Sequence, residues 1–143
     1  MLVSAKGRIK EEAIQELLGY SVFPDPERLQ AVTEAYENSD ELELYAYEDQ
    51  EEIIGIVGIS VSPERELTIG HIAVRPDIRG QGYGRGQVLE LIELKQPLRI
   101  VAETDEDSVN FYRNIGFTVF SLGEKYPGVE RFRCEYDVEE DEA

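Results

Sequence analysis

The chain has 143 residues, of which 41% are apolar and 31% charged, a composition typical of one globular domain spanning residues 1–143. No stretch approaches the run of about 18 apolar residues that a membrane-spanning helix needs, and residues 1–10 lack the apolar core of a secretory signal. The single cysteine and the single histidine exclude an internal disulfide and a Cys/His zinc cluster. We therefore expect a cytoplasmic protein without a metal.

The formal net charge is -17, from 31 acidic residues against 14 Lys and Arg. Such a chain is repelled by nucleic acids and by anionic membrane surfaces, so we exclude both as partners. The charge favours a cationic acceptor such as an amine or a basic peptide, although a solvated acidic surface that serves solubility is the simpler explanation. Residues 139–143 are expected to form a disordered acidic tail.

The first part of the chain shows the apolar spacing of helices. The first helix is predicted from five positions on one face: Ile9, Ala13, Ile14, Leu17 and Leu18. Asp25-Pro26-Glu27 predicts the start of a second helix, because Asp caps the free amides, Pro fits the first turn and Glu suits the positive end of the helix dipole. Leu29, Val32 and Tyr36 mark its buried side.

From residue 41 the apolar period changes to two, which predicts strands. Two strands joined by a polar turn at residues 48–52 form an antiparallel hairpin, and another strand spans residues 67–74. A glycine-rich turn and a helix follow, and then a compact apolar strand at residues 98–102. This strand–helix–strand crossover places two parallel strands inside an otherwise antiparallel sheet, so the predicted fold class is a mixed α/β sheet.

The last part of the chain is predicted to hold one helix and two strands. The helix is capped by Thr104 or Asp105 and ends at Gly116, a residue type common at helix ends. The strands are predicted at residues 117–122 and 129–138.

The glycine-rich turn reads Arg79-Gly80-Gln81-Gly82-Tyr83-Gly84. Glycines let the backbone direct successive N–H groups toward a ligand at the positive end of a helix, which predicts binding of an anion such as pyrophosphate. Arg79 and Arg85 add positive charge on an acidic protein. A P-loop would need Gly-Lys-Ser/Thr, and the dinucleotide pattern GxGxxG would need Gly where Gln87 stands. The turn therefore indicates a phosphate site of another kind.

A second motif follows one helix and one strand later: Asp105-Glu106-Asp107-Ser108-Val109-Asn110-Phe111-Tyr112-Arg113-Asn114-Ile115-Gly116-Phe117. It resembles the Asn-x-x-Ala-x-x-Phe-Tyr-x-x-x-Gly-Phe segment of the GCN5-related N-acetyltransferases (GNAT), with Asp105 in place of Asn and Ser108 in place of Ala. Arg79-x-x-Gly82-x-Gly84 resembles the pyrophosphate loop of the same family. The resemblance implies a GNAT-like fold, with antiparallel N-terminal strands, helices on both faces and a central parallel pair splayed around coenzyme A.

The resemblance also implies a function. It implies an acetyl-CoA-dependent N-acetyltransferase, in which a neutral primary amine attacks the acetyl carbonyl directly. Acetyl-CoA is then the cosubstrate, and the acceptor is a small-molecule amine or the amine of a peptide. The cofactor-binding residues that the resemblance implies are Ile72, Ala73, Val74, Arg79, Gly80, Gln81, Gly82, Tyr83, Gly84, Arg85, Asn110 and Tyr112.

Tyr112 is implied to protonate or hydrogen-bond the leaving thiolate. A general base is useful as well, because an alkylamine of pKa about 10.4 is only about 0.04% neutral at pH 7. Glu103 is one candidate, although it could equally be a helix-start carboxylate. His71 has a suitable pKa, but it does not occupy one of the positions at which the general bases of the family lie on this strand. A structural or substrate-lining role is therefore favoured for His71. Cys134 has no nearby histidine and is predicted to be buried.

Two other functions stay open. The first is a non-catalytic acyl-CoA-binding or regulatory module on the same scaffold, which would explain why no residue is an unambiguous general base. The second is a nucleotide-phosphate binder, which would explain the glycine-rich turn alone. The acceptor is expected to be selected by the first two helices, by the loop near residues 20–24 and by the loop at residues 123–129. The assembly state is open too, with a homodimer as one candidate.

Overall fold

The computed structural model describes residues 1–22 and 25–138, and it has a mixed α/β architecture. Short 3-10 turns lie at Lys6–Arg8 and Pro76–Ile78. In chain order the other elements are β1 (Leu2–Ser4), α1 (Glu12–Ser21), α2 (Pro26–Asn38), β2 (Glu43–Asp49), β3 (Glu52–Val61), β4 (Glu66–Val74), α3 (Tyr83–Lys95), β5 (Arg99–Asp105), α4 (Val109–Asn114), β6 (Thr118–Tyr126) and β7 (Val129–Asp137).

The strands form a mixed sheet in the order β1-β2-β3-β4-β5-β7-β6. The chain divides into two compact units, one of Met1–Ser60 with Gly70–Lys95 and one of Val61–Ile69 with the residues from Gln96 onward. Strand β4 begins in the second unit and ends in the first. The prediction of a single domain over residues 1–143 stays a prediction.

In the first unit the strands carry helices on both faces. Leu44 and Ala46 of β2 lie on one face and join the core with α1 and α2. The alternate residues point the other way, because Glu43 Oε1 lies 2.8 Å from Lys95 Nζ of α3 and the Tyr47 ring packs edge-on against Tyr83 of α3. The buried residues of the first face are Ala5, Ile9, Ile14, Leu17, Leu18, Tyr36, Leu44, Ala46, Ile56 and Ala73.

Helix α2 begins where its sequence predicts. Asp25 is extended, with φ -134° and ψ 112°, and its Oδ1 accepts the Glu27 N–H at 2.9 Å, while Pro26 occupies the first turn. This contact satisfies one of the amides that a helix start leaves without an intrahelical partner. The buried residues of α2 include Tyr36, as predicted.

The second unit contains the predicted parallel pair. Strands β4 and β5 pair in parallel from Glu66–Arg99 to Ile69–Ala102, and β5 then pairs with β7, and β7 with β6, in antiparallel fashion. Helix α4 is followed by Gly116 at φ +100°, and the Phe117 N–H donates to the Tyr112 carbonyl at 3.0 Å. Gly116 therefore ends this helix as predicted.

Several predicted boundaries differ from the structure. Strand β1 was not predicted, and Ile9 lies before α1, although its side chain is buried. Thr104 is a buried residue of β5, whereas Asp105 Oδ1 accepts the N–H groups of the second and third residues that follow it, both at 3.1 Å. Neither candidate is therefore the N-cap of α4, which is Ser108, and Asp105 instead stabilises the turn that precedes the helix. The predicted tail at 139–143 and positions 23–24 of the predicted acceptor loop lie outside the described residues.

Candidate functional site

The glycine-rich turn lies between the end of β4 and the start of α3. Gly80 and Gly82 have φ values of +84° and +89°, in the left-handed region where a side chain is strained. A Cβ placed on either residue would meet no atom within 4 Å, so the turn faces open space. The predicted turn is therefore present, and its backbone is accessible.

The first turn of α3 presents free amides beside these glycines. The Gly86 N–H donates to the Gly82 carbonyl at 2.9 Å, which is the first hydrogen bond of the helix. The amides between these two residues therefore have no partner within the helix. Amides at the positive end of a helix dipole are suited to bind an anion.

The predicted cationic residues of the turn, Arg79 and Arg85, are both exposed. Arg79 Nε donates to the Val74 carbonyl at 3.1 Å, and its guanidinium carbon lies 5.3 Å from the centre of the Tyr20 ring. These contacts hold Arg79 against the end of β4 and the last turn of α1. A positive charge is thereby kept beside the free amides.

The other predicted binders of the turn contribute in different ways. The Tyr83 hydroxyl donates to Asp49 Oδ2 at 3.4 Å, and its ring packs on Tyr47, so its backbone N–H is the part that a ligand can reach. Gln81 is exposed, and Gly84 is half-buried. The turn thus offers backbone groups together with a few exposed polar side chains.

The end of β4 offers one backbone edge. The Arg75 N–H donates to the Ile54 carbonyl of β3 at 2.9 Å. Successive amides of a strand point to opposite edges, so the Val74 and Ile72 N–H groups point away from β3, whereas Ala73 faces β3. Three residues of this strand were predicted to bind the cofactor. Of these, Ile72 and Val74 direct their N–H groups to the edge away from β3, and Ala73 does not.

Gln87 is a buried polar residue that was not predicted to be functional. Its Nε2 donates to the Ala73 carbonyl at 3.3 Å, and its Oε1 has no hydrogen-bond partner among the described residues. A Cβ on Gly55 would lie 2.8 Å from both Gln87 Nε2 and the Ala73 carbonyl oxygen, so Gly55 makes room for the amide. The one sequence feature that distinguishes this position is that Gln87 stands where the pattern GxGxxG would have its third Gly.

His71 forms a pair with a residue that the sequence did not connect to it. Its Nδ1 lies 2.7 Å from the hydroxyl of Tyr36 on α2, and the two rings meet edge-on with centres 5.5 Å apart. Burial lowers the pKa of His71, and it raises the pKa of Tyr36 to about 12. Both side chains are therefore neutral at pH 7.

Tyr112 lies in the second unit as a buried phenol. It is 4% exposed, and its ring packs edge-on against Phe111 and Phe117, with centres 5.1 Å and 5.3 Å away. Burial, with a smaller effect of Cys134, raises the pKa of Tyr112 above the ordinary value of about 10. The phenol therefore keeps its proton at neutral pH and can donate a hydrogen bond.

Glu103 is exposed and stands opposite Arg133 in the pairing of β5 with β7. The adjacent residue Ala102 stands opposite Cys134, which interacts with Tyr112, so Glu103 and Tyr112 lie on opposite faces of β5. Cys134 is fully buried, as predicted. On α4, Asn110 Oδ1 accepts Arg113 Nη1 at 2.7 Å, so this amide oxygen already has a partner.

Residues 1–22 and 25–138 contain no group of three or more His, Cys, Asp or Glu placed to hold a metal ion. No helix in this described part of the chain is long and apolar enough to cross a membrane. The first unit thus contains a backbone turn with accessible amides, and the second unit contains a buried phenol.

Comparison with known proteins identifies a family. The sequence profile described as the acetyltransferase (GNAT) family matches residues 10–117. An uncharacterized N-acetyltransferase in the lysA 3' region of Bacillus methanolicus is 36% identical over 94 residues, which are 66% of this chain and 78% of the relative.

Two solved structures share the fold over nearly the whole chain. A GNAT-family protein from Desulfovibrio desulfuricans has a TM-score of 0.78 at 16% identity, covering 96% of this chain and 98% of its own. An acetyltransferase from Bacillus subtilis, solved in complex with CoA, has a TM-score of 0.69 at 17% identity, covering 96% and 97%.

Proposed function

Since this chain belongs to the acetyltransferase (GNAT) family and is an acyltransferase, we propose that it transfers an acetyl group from acetyl-CoA directly to a primary amine. The observation that carries the proposal is the turn at Gly80 and Gly82, where positive φ values and open space leave backbone amides accessible at a helix start. The similar Bacillus subtilis structure, which was solved with CoA, supports CoA as the cosubstrate.

In this proposal the turn binds the pyrophosphate of CoA. Each charge-assisted N–H hydrogen bond contributes about 1.5–3 kcal/mol, so a few amides hold the anion with little help from basic side chains. Arg79 and Arg85 supply positive charge at the rim of the turn on an otherwise acidic protein. Asn110 is proposed as a further contact of the cosubstrate.

The end of β4 aligns the rest of the cosubstrate. The amide edge of Ile72 and Val74 that points away from β3 pairs with the pantetheine arm as an added strand would. The Val74 N–H then lies where it can donate to the acetyl carbonyl oxygen. A fixed donor of this kind stabilises the negative charge that develops on that oxygen during attack.

Tyr112 is proposed to stabilise the leaving thiolate. A phenol of ordinary pKa, about 10, lies above a thiol of about 8.5, so full proton transfer is uphill by about 2 kcal/mol. Burial raises the pKa of Tyr112 further, which makes transfer still less favourable. A hydrogen bond from the intact phenol to the sulfur is therefore the proposed contribution.

The amine must lose a proton before it attacks. For an alkylamine of pKa about 10.4 the neutral form is less stable by about 4.6 kcal/mol at pH 7, so a base is useful. We assign this role to Glu103, whose exposed carboxylate receives the proton through water. His71 is proposed to line the acceptor site instead, because its Nδ1 is already engaged by Tyr36.

A panel of amines tests the proposal. Acetyl-CoA is incubated with the protein and with polyamines, aminoglycosides, amino acids and peptides, and thiol release is followed together with the mass of each amine. At least one amine should gain an acetyl group at the rate of thiol release. Tight CoA binding by calorimetry without thiol release for any amine would instead favour the non-catalytic module, and binding of ATP but not CoA would favour a nucleotide binder.

A further inference from the structure

The hydroxyl of Tyr36 occupies a space shaped by two glycines. A Cβ on Gly58 would overlap the Tyr36 hydroxyl, and a Cβ on Gly70 would lie 3.4 Å from the same oxygen. Tyr36 itself is 2% exposed, and its oxygen lies 2.7 Å from His71 Nδ1. The hydroxyl is therefore held in one place, aimed at one nitrogen of the imidazole.

The Tyr36 O–H must be the donor in this contact. Within the described part of the chain, His71 Nδ1 is the hydrogen-bond partner of this hydroxyl. If Nδ1 carried the hydrogen instead, the buried O–H would have no acceptor, which disfavours that tautomer by about tenfold, or about 1.4 kcal/mol. Neutral His71 therefore carries its hydrogen on Nε2.

The second ring nitrogen of His71, Nε2, is available to a ligand. Among residues 1–22 and 25–138, Nε2 has no hydrogen-bond partner, and it is not among the fully buried unpartnered atoms. His71 is half-buried, so this edge of the ring reaches solvent. An N–H on a neutral ring donates a hydrogen bond but cannot accept a proton at that nitrogen.

The position of His71 on β4 limits what it can touch. It precedes Val74 by three residues, which is about 10 Å along an extended strand. Its imidazole also points across the sheet toward Tyr36 of α2 and not along the strand, which keeps it away from an acetyl carbonyl held by the Val74 N–H. It can contact a part of the acceptor away from the reacting nitrogen, so its effect belongs to acceptor binding rather than to the chemical step.

We propose that Tyr36 is a positioning residue that holds His71 as its Nε2–H tautomer, and that this N–H donates to an oxygen atom of the acceptor. The assignment rests on the proposed function, since it places an amine acceptor beside β4. It selects amines that carry a hydroxyl, carbonyl or carboxylate oxygen over plain alkylamines. It also assigns His71 to acceptor selection and not to general-base catalysis.

Nitrogen-15 NMR of the protein tests the tautomer directly, because the chain has a single histidine. In the free wild-type protein at pH 8, Nε2 should be protonated and Nδ1 should be an unprotonated, hydrogen-bonded nitrogen. In Tyr36→Phe the Nδ1 resonance should shift, and both tautomers should be populated. A protonated Nδ1 in the wild-type protein, or the same ring spectrum in both proteins, would overturn the assignment of Tyr36.

Matched amines test the acceptor half of the proposal. At saturating acetyl-CoA, ethanolamine is compared with propylamine, and 3-aminopropanol with butylamine. His71→Leu should raise KM about tenfold for the oxygen-bearing member of each pair, with kcat nearly unchanged and the alkylamine KM unaffected. His71→Gln, which keeps an N–H donor, should retain the wild-type KM. Equal KM changes for both members, or a large kcat loss in both variants, would overturn it.

The two experiments separate failure of this assignment from failure of the proposed function. If no amine releases thiol while the NMR result is as expected, the proposed function and the acceptor half fail together, and the tautomer assignment stands. If amines are acetylated but the His71 variants leave every KM unchanged, the acceptor half alone fails. Thermal unfolding of each variant checks that the fold is retained.

Discussion

At the scale of single residues, the proposed role of Tyr112 predicts how the reaction rate responds to a substitution. The change Tyr112→Phe removes the hydroxyl but keeps a ring of the same shape against Phe111 and Phe117. We expect kcat to fall about 10- to 100-fold because the thiolate loses its donor, while KM for acetyl-CoA changes less than about twofold. Steady-state thiol release with an acetylated amine measures both constants.

The matched control for this variant is Tyr136→Phe. Tyr136 packs against Phe117 with ring centres 5.4 Å apart and has no proposed part in the reaction. It should leave kcat within about twofold of the wild-type value, as most changes outside a site do. Equal losses in the two variants would mean that aromatic packing, and not the Tyr112 hydroxyl, controls the rate.

A second residue-scale prediction concerns Gly58 and stability. In Gly58→Ala the new methyl group overlaps the buried Tyr36 hydroxyl, so α2 or β3 must shift. We expect the free energy of unfolding to fall by about 1–3 kcal/mol, as for other overpacked interiors, measured by urea denaturation.

Gly19→Ala is the matched control for this change, because Gly19 lies in α1 and a Cβ there meets no atom within 4 Å. It should stabilise the protein by about 0.5–1 kcal/mol, since Gly is unfavourable within a helix. A Gly58→Ala protein as stable as the wild type would contradict the close approach of Tyr36 to β3.

At the scale of elements, substitution of a glycine in the turn before α3 tests whether this turn binds CoA. Gly82 has φ +89° beside open space, so Gly82→Ala meets no neighbour but strains the backbone. We expect the turn to shift, its amides to lose their common direction, and the Kd for CoA to rise about tenfold by calorimetry.

Gly128→Ala provides the control, since Gly128 has φ +79° in equally open space between β6 and β7. It should carry similar backbone strain and leave the Kd for CoA unchanged. A similar loss of CoA affinity in both variants would mean that strain, rather than the turn at Gly82, weakens binding.

Elements with a local signal could be predicted from the sequence. Asp25 gave the start of α2, and Gly116 the end of α4, because a cap or a left-handed residue acts within one helical turn. Strand β1, Leu2–Ser4, could not be predicted, because three residues are too few to show a period. Its position depends on pairing with β2 rather than on its own residues.

The candidate site divides in the same way. The turn at Gly80 and Gly82 was predictable because its glycines are close in sequence and their spacing has a physical meaning. The contact of Tyr36 with His71 was not, because 35 residues separate them and only the packing of α2 on the sheet brings them together. Gln87 was not predictable either, since a side chain at position 55 would collide with it and only Gly55 leaves room for its amide.

At the scale of the whole molecule, the net charge of -17 creates a field that attracts cations. Salt screens this field, with a screening length of about 10 Å at about 0.1 M. For any polyamine that the amine panel shows to be acetylated, we expect kcat/KM at saturating acetyl-CoA to fall about three- to tenfold when NaCl rises from about 20 to about 300 mM. A zwitterionic amino acid should show a change below about twofold. Equal salt dependence for the two acceptors would assign the charge to solubility alone.

In the proposed reaction, the acetyl group passes from acetyl-CoA to the amine without an acetylated protein between them. A single-turnover experiment, with protein in excess over acetyl-CoA, can be quenched at intervals and analysed by mass spectrometry of both protein and amine. Direct transfer predicts that acetylated amine and free thiol appear together, while the mass of the protein stays constant. Acetylated protein that forms before the product and then decays, or thiol release without acetylated amine, would contradict it.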